Sequence, residues 1–384
     1  MNGRNSKAVK IGGFGHVKTV HIGGDFPVVI QTMWKNRLSF ADLEGEAGLA
    51  IVRRIDTLGS MGCGLLRFAV PDTEAAEVLG HLAEMVSMPL VADIHFDHKI
   101  ALRCLDFPIA KIRLNPGNIG GREKVRAVLE KAAKKGVPIR IGVNAGSLPL
   151  DLRERVEEGM DLAEALVQAA GRELAFFDEF DFTSYLVSMK ASGIADTIKA
   201  NRILGEKTDA PLHIGVTEAG PLIAGVARST TALLALLTEG IGDTIRVSLS
   251  DTMENEVIAG REILRAAAQA AVLKNADAGR LRQKGVNIVS CPRCGRYGFD
   301  THGFTDRWMP RLYALNQRFI DRDITVAVMG CEVNGPQEAK YADLGITGAG
   351  DKVLIFRHGR VIRTIAAAEA DQVFEEELVN LQKT

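Results

Sequence analysis

The sequence predicts an α/β fold: a (β/α)8 TIM barrel followed by a small α+β domain. Three observations carry this prediction. Eight short runs rich in Val, Ile and Leu recur through the first two-thirds of the 384 residues. Amphipathic segments separate them, and the rhythm changes after about residue 284, as expected at a domain boundary.

In order, the runs are 27–33 (PVVIQTM), 65–70 (LLRFAV), 90–94 (LVADI), 111–115 (KIRLN), 138–143 (PIRIGV), 186–191 (LVSMKA), 212–216 (LHIGV) and 244–249 (TIRVSL). Continuous apolar runs of this kind suit strands buried on both faces of a parallel sheet. The intervening segments, such as 121–136 (GREKVRAVLEKAAKKG) and 230–240 (TTALLALLTEG), read as helices, the second ending on a Gly stop. Eight β–α units within about 270 residues is the size of a closed barrel. A doubly wound open sheet also holds eight strands, but no GxGxxG follows the first one.

Residues 1–270 are therefore expected to form the barrel and 271–284 a linker, with a second domain over 285–384. The second domain is expected to contain a strand NIVS, a Cys pair and a helix near 308–320. A strand ITVAVMG and another Cys follow, then a hairpin at 352–365 and a closing helix (AAEADQVFEEELVNLQ).

The net charge of −1 gives no global pull toward nucleic acid or an anionic membrane, so neither is expected as a partner. The start, MNGRNSKAVKIGG, has no apolar h-region, and no stretch approaches the roughly 18 apolar residues of a membrane span, so a cytoplasmic location is expected. Five cysteines are too few for a disulfide scaffold. Three of them lie close together, which in a reducing compartment favours metal binding or redox chemistry.

Active-site residues of a barrel sit at the C-terminal ends of its strands. Those ends carry Gln31, Arg67, Asp93, His95, Arg113, Asn115, Arg140, Asn144, Lys190, Thr217, Glu218 and Ser248. Three Arg and one Lys around one mouth are costly unless an anion neutralises them. Guanidinium forks match phosphate oxygens, so a phosphorylated substrate is expected; local pairing of each charge with Asp93, Glu218 or a loop acid is the alternative. Asp93 and His95 are either an acid/base pair or a cap on the next helix. Glu218 suits binding a hydroxyl or moving a proton, or serves as an ion-pair partner.

In the second domain Cys291 and Cys294 form a Cys-x-x-Cys, a spacing shared by zinc knuckles, redox dithiols and iron–sulfur sites. Cys331 follows strand ITVAVMG, with no fourth Cys after it. A structural zinc site normally closes with four ligands, whereas three thiolates suit a [4Fe–4S] cluster with one open iron. Glu338 is placed to give that iron a displaceable oxygen ligand. Cys63 and Cys104 stand apart and are assigned no role.

CPRCGR (291–296) and MGCEVNGPQEA (329–339) resemble the cluster motifs of the 4-hydroxy-3-methylbut-2-enyl diphosphate synthase family of the methylerythritol phosphate route to isoprenoids. In the barrel half QTM, RFAVP, ADIHFD, KIRLNPGN, RIGVNAGSL, GVTEAG and GDTIRVSLS resemble it in the same order. The resemblance implies that Cys291, Cys294, Cys331 and Glu338 hold a [4Fe–4S] cluster. It implies that Arg67, Arg113, Arg140 and Lys190 grip a cyclic diphosphate, helped by Asn115, Asn144, Thr217 and Ser248, with Glu218 near the substrate hydroxyls. The activity implied is reductive ring opening and dehydration of 2-C-methyl-D-erythritol 2,4-cyclodiphosphate, with ferredoxin or flavodoxin as electron donor. A head-to-tail homodimer is implied as well. The chain departs from the family pattern at Gln337, where Gly is usual, and in the loop WKNRLSF (34–40). The competing expectations are a zinc-containing barrel enzyme acting on a phosphorylated ligand, and an iron–sulfur sensor without turnover.

Overall fold

A computed structural model describes residues 4–274, 277–292, 294–319, 322–332 and 334–382. The chain divides into two compact units, 1–59 with 63–283, and 60–62 with 284–384.

The first unit opens with a hairpin of β1 (Val9–Gly12) and β2 (Thr19–Ile22). Then come β3 (Val29–Met33), β4 (Cys63–Ala69), β5 (Leu90–Asp93), β6 (Lys111–Leu114), β7 (Ile139–Asn144), β8 (Tyr185–Lys190), β9 (His213–Ile214) and β10 (Thr244–Ile245). These eight are all parallel, in the order β8-β7-β6-β5-β4-β3-β10-β9. A parallel bridge between Val187 and Leu212 closes the ring. The expected barrel is thus present, with each expected run contributing one strand. β5, β6 and β8 are buried at every position, which is why their sequences do not alternate.

Helix Arg122–Lys135 ends on Gly136 in the left-handed conformation (φ 65°). The helix expected over 230–240 begins earlier, at Leu222, and ends at Leu237. The helix after β10 runs from Met253 to Leu273, beginning on a Thr252 cap. The hairpin β1–β2 lies outside the sequence expectation. Its Val9, Ile11 and Ile22 pack with Leu65, Val91, Ala110 and Leu186, residues near the N-terminal ends of barrel strands. It therefore seals the end of the barrel opposite the functional mouth.

The second unit is a five-stranded sheet in sequential order: β11 (Gly285–Ser290), β12 (Asp323–Met329), β13 (Leu344–Ala349), β14 (Lys352–Arg357) and β15 (Arg360–Ala366). The first three are parallel and the rest antiparallel. Helices Thr301–Tyr313 and Ala370–Gln382 bury Phe304, Trp308, Leu312, Phe374 and Leu378 against the sheet. The helix expected near 308–320 is corrected to Thr301–Tyr313, started by the Asp300 side chain accepting from Gly303 N. Pro310 lies inside it rather than at its start. Among the described residues no helix is long and apolar enough to cross a membrane.

Candidate active site

Every parallel strand delivers the residue at its C-terminal end to the same mouth, so side chains far apart in sequence meet there. Arg67, Asp93, His95, Arg113, Arg140, Asn144, Lys190, Thr217, Glu218 and Ser248 all line one cavity of about 290 Å³. A wider lobe of about 560 Å³ shares His95, Arg113, Asn144, Lys190, Thr217 and Glu218 and opens between Phe96 and residues 145–148.

Asp93 is the hub. Its carboxylate meets Arg113 Nη1 at 3.2 Å, Arg67 Nε at 3.5 Å and His95 Nε2 at 3.5 Å. Burial by itself would raise the Asp93 carboxyl; Arg67, His95 and Arg113 overcome that and hold it below the ordinary carboxylate range. Asp93 is thus an ion-pair centre and not the cap on the next helix, which is Asp97, accepting from Lys99 N at 2.8 Å. Arg67 also rests on the Met33 sulfur, Nη2 at 3.0 Å, and burial lowers its pKa to about 10. Arg113 lies across Gly142, whose missing side chain makes room: a Cβ there would stand 2.4 Å from Arg113 Nε. With its amide oxygen turned inward, Asn144 accepts from Arg113 Nη2 at 3.2 Å.

Arg140 differs from these. It is 1% exposed, and neither its Nε nor its Nη1 has a hydrogen-bond acceptor among the described residues. Burial, reinforced by Arg67 and Arg113, pushes its pKa well below normal. Lys190 is depressed by burial and then by Arg140 and Arg246. Buried donors without acceptors are expensive, so the mouth is electrostatically incomplete until an anion enters. Glu218 sits exposed at the rim with φ of 53°, a left-handed backbone that is uncommon for a residue with a side chain.

Asn115 is not among the lining residues. It caps the turn Pro116–Ile119, accepting from Gly117 N at 3.2 Å, and donates to Ser147 Oγ at 3.2 Å. Its amide organises two loops beside the cavity. Sequence reasoning missed Arg246, which lines the cavity one residue past β10. Its signal was present: it lies two positions before Ser248, and alternate residues of an extended segment share a face. Also missed are Lys111 and His213, both wholly buried in the barrel interior, with Lys111 Nζ 3.3 Å from Gln31 Oε1. Burial first, then Arg140 and Arg67, lowers the Lys111 ammonium well below its ordinary range. In the divergent loop, Trp34 stacks on Phe68 (centroids 5.5 Å apart) and Lys35 reaches back into the barrel.

The thiols of the second unit stand on two loops leaving one edge of the sheet. Cys291 directly follows β11, Cys331 lies two residues beyond β12, and the strands pair in parallel register up to Ser290 and Val328. Gly298 N donates to Gly330 O at 2.8 Å, tying the loops together. A Cβ on Gly330 would stand 3.3 Å from Tyr297 Cβ and 3.4 Å from Cys291 Sγ, so the backbone passes close beside the sulfur. A cavity lined by Cys291, Pro292, Thr301 and His302 adjoins it. Hydrogen bonds from the Arg296 backbone and side chain lower the Cys294 thiol below its ordinary value. Among the described residues no three His, Cys, Asp or Glu side chains form a collected metal-binding group. The three thiols and the cavity beside Cys291 fit a thiolate-ligated cluster, with the loops adjacent rather than gathered around a point. Glu338 ends the turn Asn334–Glu338 with its carboxylate exposed, beside an exposed Gln337. In the first unit, burial pushes the Cys63 and Cys104 thiols up to about 12, far from nucleophilic.

The GcpE TIM-barrel domain family matches residues 14–261, and the GcpE protein C-terminal domain family matches residues 287–380. A relative from Treponema pallidum named "4-hydroxy-3-methylbut-2-en-1-yl diphosphate synthase (flavodoxin)" is 49% identical over 98% of this chain and 92% of its own length. Relatives of the same name from Treponema denticola and Geobacter sulfurreducens are 48% and 43% identical, over 98% and 94% of this chain and 98% and 95% of their own lengths.

Proposed function

The chain belongs to the GcpE family, and on that premise we propose that it is a 4-hydroxy-3-methylbut-2-enyl diphosphate synthase of isoprenoid biosynthesis. It opens the ring of 2-C-methyl-D-erythritol 2,4-cyclodiphosphate, takes up two electrons with protons, and releases water to leave the allylic diphosphate alcohol. The observation that carries this reading is Arg140, a buried guanidinium with two donor positions lacking acceptors, among other cations in a cavity at the barrel mouth.

The residues divide the work by their surroundings. Arg140 offers its unsatisfied N–H groups to the diphosphate. Arg67 and Arg113, each held on one edge by Asp93, present their remaining donors in fixed directions. Lys190 adds a point charge, with its ammonium form favoured once the anion arrives. Asn144, Thr217 and Ser248 hydrogen-bond the less charged oxygens. Glu218, at the rim, accepts a hydrogen bond from a substrate hydroxyl and holds or moves its proton.

Cys291, Cys294 and Cys331 would hold a [4Fe–4S] cluster, with Glu338 as an exchangeable fourth ligand. When bound, such a cluster supplies electrons singly to a substrate that side chains cannot reduce. A small acidic electron carrier, flavodoxin or ferredoxin, is the donor; the relatives' printed name supports flavodoxin. The reading also includes a head-to-tail homodimer and the cytoplasm, whose reducing conditions keep the thiols available.

The test is anaerobic purification, absorption and spin-resonance spectra, then assay with the cyclodiphosphate and a strong reductant. A brown, active protein that becomes paramagnetic on reduction is expected. A colourless, zinc-containing, inactive one overturns the proposal.

A further inference from the structure

Glu256 lies outside every motif of the family resemblance, yet it is among the most heavily hydrogen-bonded carboxylates of the barrel. It sits in the first turn of helix Met253–Leu273, its side chain fully shielded from solvent. Its Oε2 accepts from Thr32 Oγ1 at 2.6 Å and from Arg246 Nε at 3.3 Å. Its Oε1 accepts from Arg246 Nη2 at 3.2 Å, Leu249 N at 3.1 Å and Lys35 Nζ at 2.5 Å. A carboxylate offers about four lone-pair sites, so this one is saturated.

The donors come from three parts of the mouth. Thr32 is on β3, Lys35 is in the divergent loop after it, and Arg246 and Leu249 line the cavity after β10. Lys35 Nζ also donates to Leu249 O at 3.0 Å, fixing the same peptide from its other side. The Glu256 contacts engage Arg246 along its Nε–Nη2 edge. Among the described residues its Nη1 meets only the Met33 sulfur, at 3.6 Å, a weak acceptor that an anion displaces easily. Two cations against one carboxylate leave the cluster positive, so it keeps its attraction for an anion.

We propose that Glu256 is a positioning residue: it holds Arg246 and the 248–250 backbone in the orientation that receives a diphosphate oxygen. This rests on the reading of the cavity as the cyclodiphosphate site. An arginine fixed along one edge before binding loses little rotamer freedom when it engages phosphate. Glu256 itself does not line the cavity and touches no substrate.

The test combines Glu256→Gln with Arg246→Met in the full-length holoenzyme. Glu256→Gln keeps the shape but turns donors toward Arg246 and Lys35. The expected result is a loss of about 10- to 100-fold in kcat/KM, carried by KM, with kcat within about threefold and the cluster spectrum unchanged. In the Arg246→Met background the same change costs under about threefold, because Glu256 acts through that arginine. Additive losses, or a loss borne by kcat alone, overturn the proposal while wild-type turnover stands. Wild-type protein inactive with the cyclodiphosphate overturns the parent reading instead. If Glu256→Gln does not fold, Thr32→Val removes one hydrogen bond from Oε2. A rise in KM of about 2- to 10-fold is expected, and an unchanged KM overturns the proposal.

Discussion

Replacing Arg140 with Met should make the empty protein more stable and nearly abolish substrate binding. Arg140 is 1% exposed, with Nε and Nη1 lacking acceptors, and its charged neighbours are mostly cations: Arg67, Arg113 and Arg246, with Asp93 opposing them. A buried charge in such surroundings pays desolvation without full Coulombic return. Exchange for an apolar chain of similar volume typically stabilises by about 1–4 kcal/mol. For a unit of this size, that is a rise in Tm on the order of 2–10 °C. The loss in function runs the other way, since truncating one partner of a buried hydrogen-bonded charge pair costs about 2–5 kcal/mol. At about 1.4 kcal/mol per tenfold, affinity for the cyclodiphosphate falls about 30- to 4,000-fold. Scanning calorimetry without substrate gives the first quantity and isothermal titration the second. An Arg140→Met protein that melts earlier than wild type, or binds within threefold of it, refutes the argument: the guanidinium would then have its counter-charge within the protein.

Three further outcomes follow from the same geometry. Burial, with Arg140 and Arg246, depresses Lys190 when the site is empty, and an anion beside it favours its ammonium form, so binding should take up protons increasingly as pH rises. Titration in buffers of different ionisation enthalpy measures this; Lys190→Met should reduce the uptake, and zero uptake in wild type contradicts it. Glu173 is raised by burial to about 7, an effect that outweighs the Gly117 N–H hydrogen bond. Above 4.5 the unfolded chain releases this proton before the folded one does, so its contribution to stability falls as pH rises from 4.5 through 7. Glu173→Gln should flatten that part of the Tm–pH curve, and a superimposable curve refutes the assignment. Cys331→Ser should lose cluster absorbance and turnover together, while Glu338→Ala keeps much of the absorbance and loses turnover. An active Cys331→Ser protein removes the ligand assignment.

The eight barrel strands are legible in the sequence because both their faces are buried, so apolar residues run together without alternation. Their lengths are less legible. Runs 212–216 and 244–249 form strands only over His213–Ile214 and Thr244–Ile245, with single bridges at Leu212 and Leu249, because the chain leaves the ladder to build the mouth. The N-terminal hairpin escapes notice because its short strands border a Gly-rich turn and bury their apolar side only on the assembled barrel. β13 escapes for a similar reason, with Gly345 and Gly348 interrupting its apolar run. At the site, strand-end charges can be read because barrel topology sends them to one place. Glu256 cannot, since its partners come from two strand ends and a loop up to 224 residues away. The cysteine spacing shows which residues form the donor set, whereas the tie between Gly298 and Gly330 that brings the loops together exists only in the folded chain.

The backbone at Glu218 has a consequence for anyone evolving this protein. A left-handed conformation costs a residue with a side chain about 1 kcal/mol or more, which glycine avoids. Random libraries screened for soluble expression or heat resistance will therefore enrich Glu218→Gly, and with it lose a carboxylate of the mouth. Improvement in such a screen and decline in turnover are coupled at this codon. Directed evolution of the enzyme needs a selection on product formation in every round, with position 218 held fixed when it is absent.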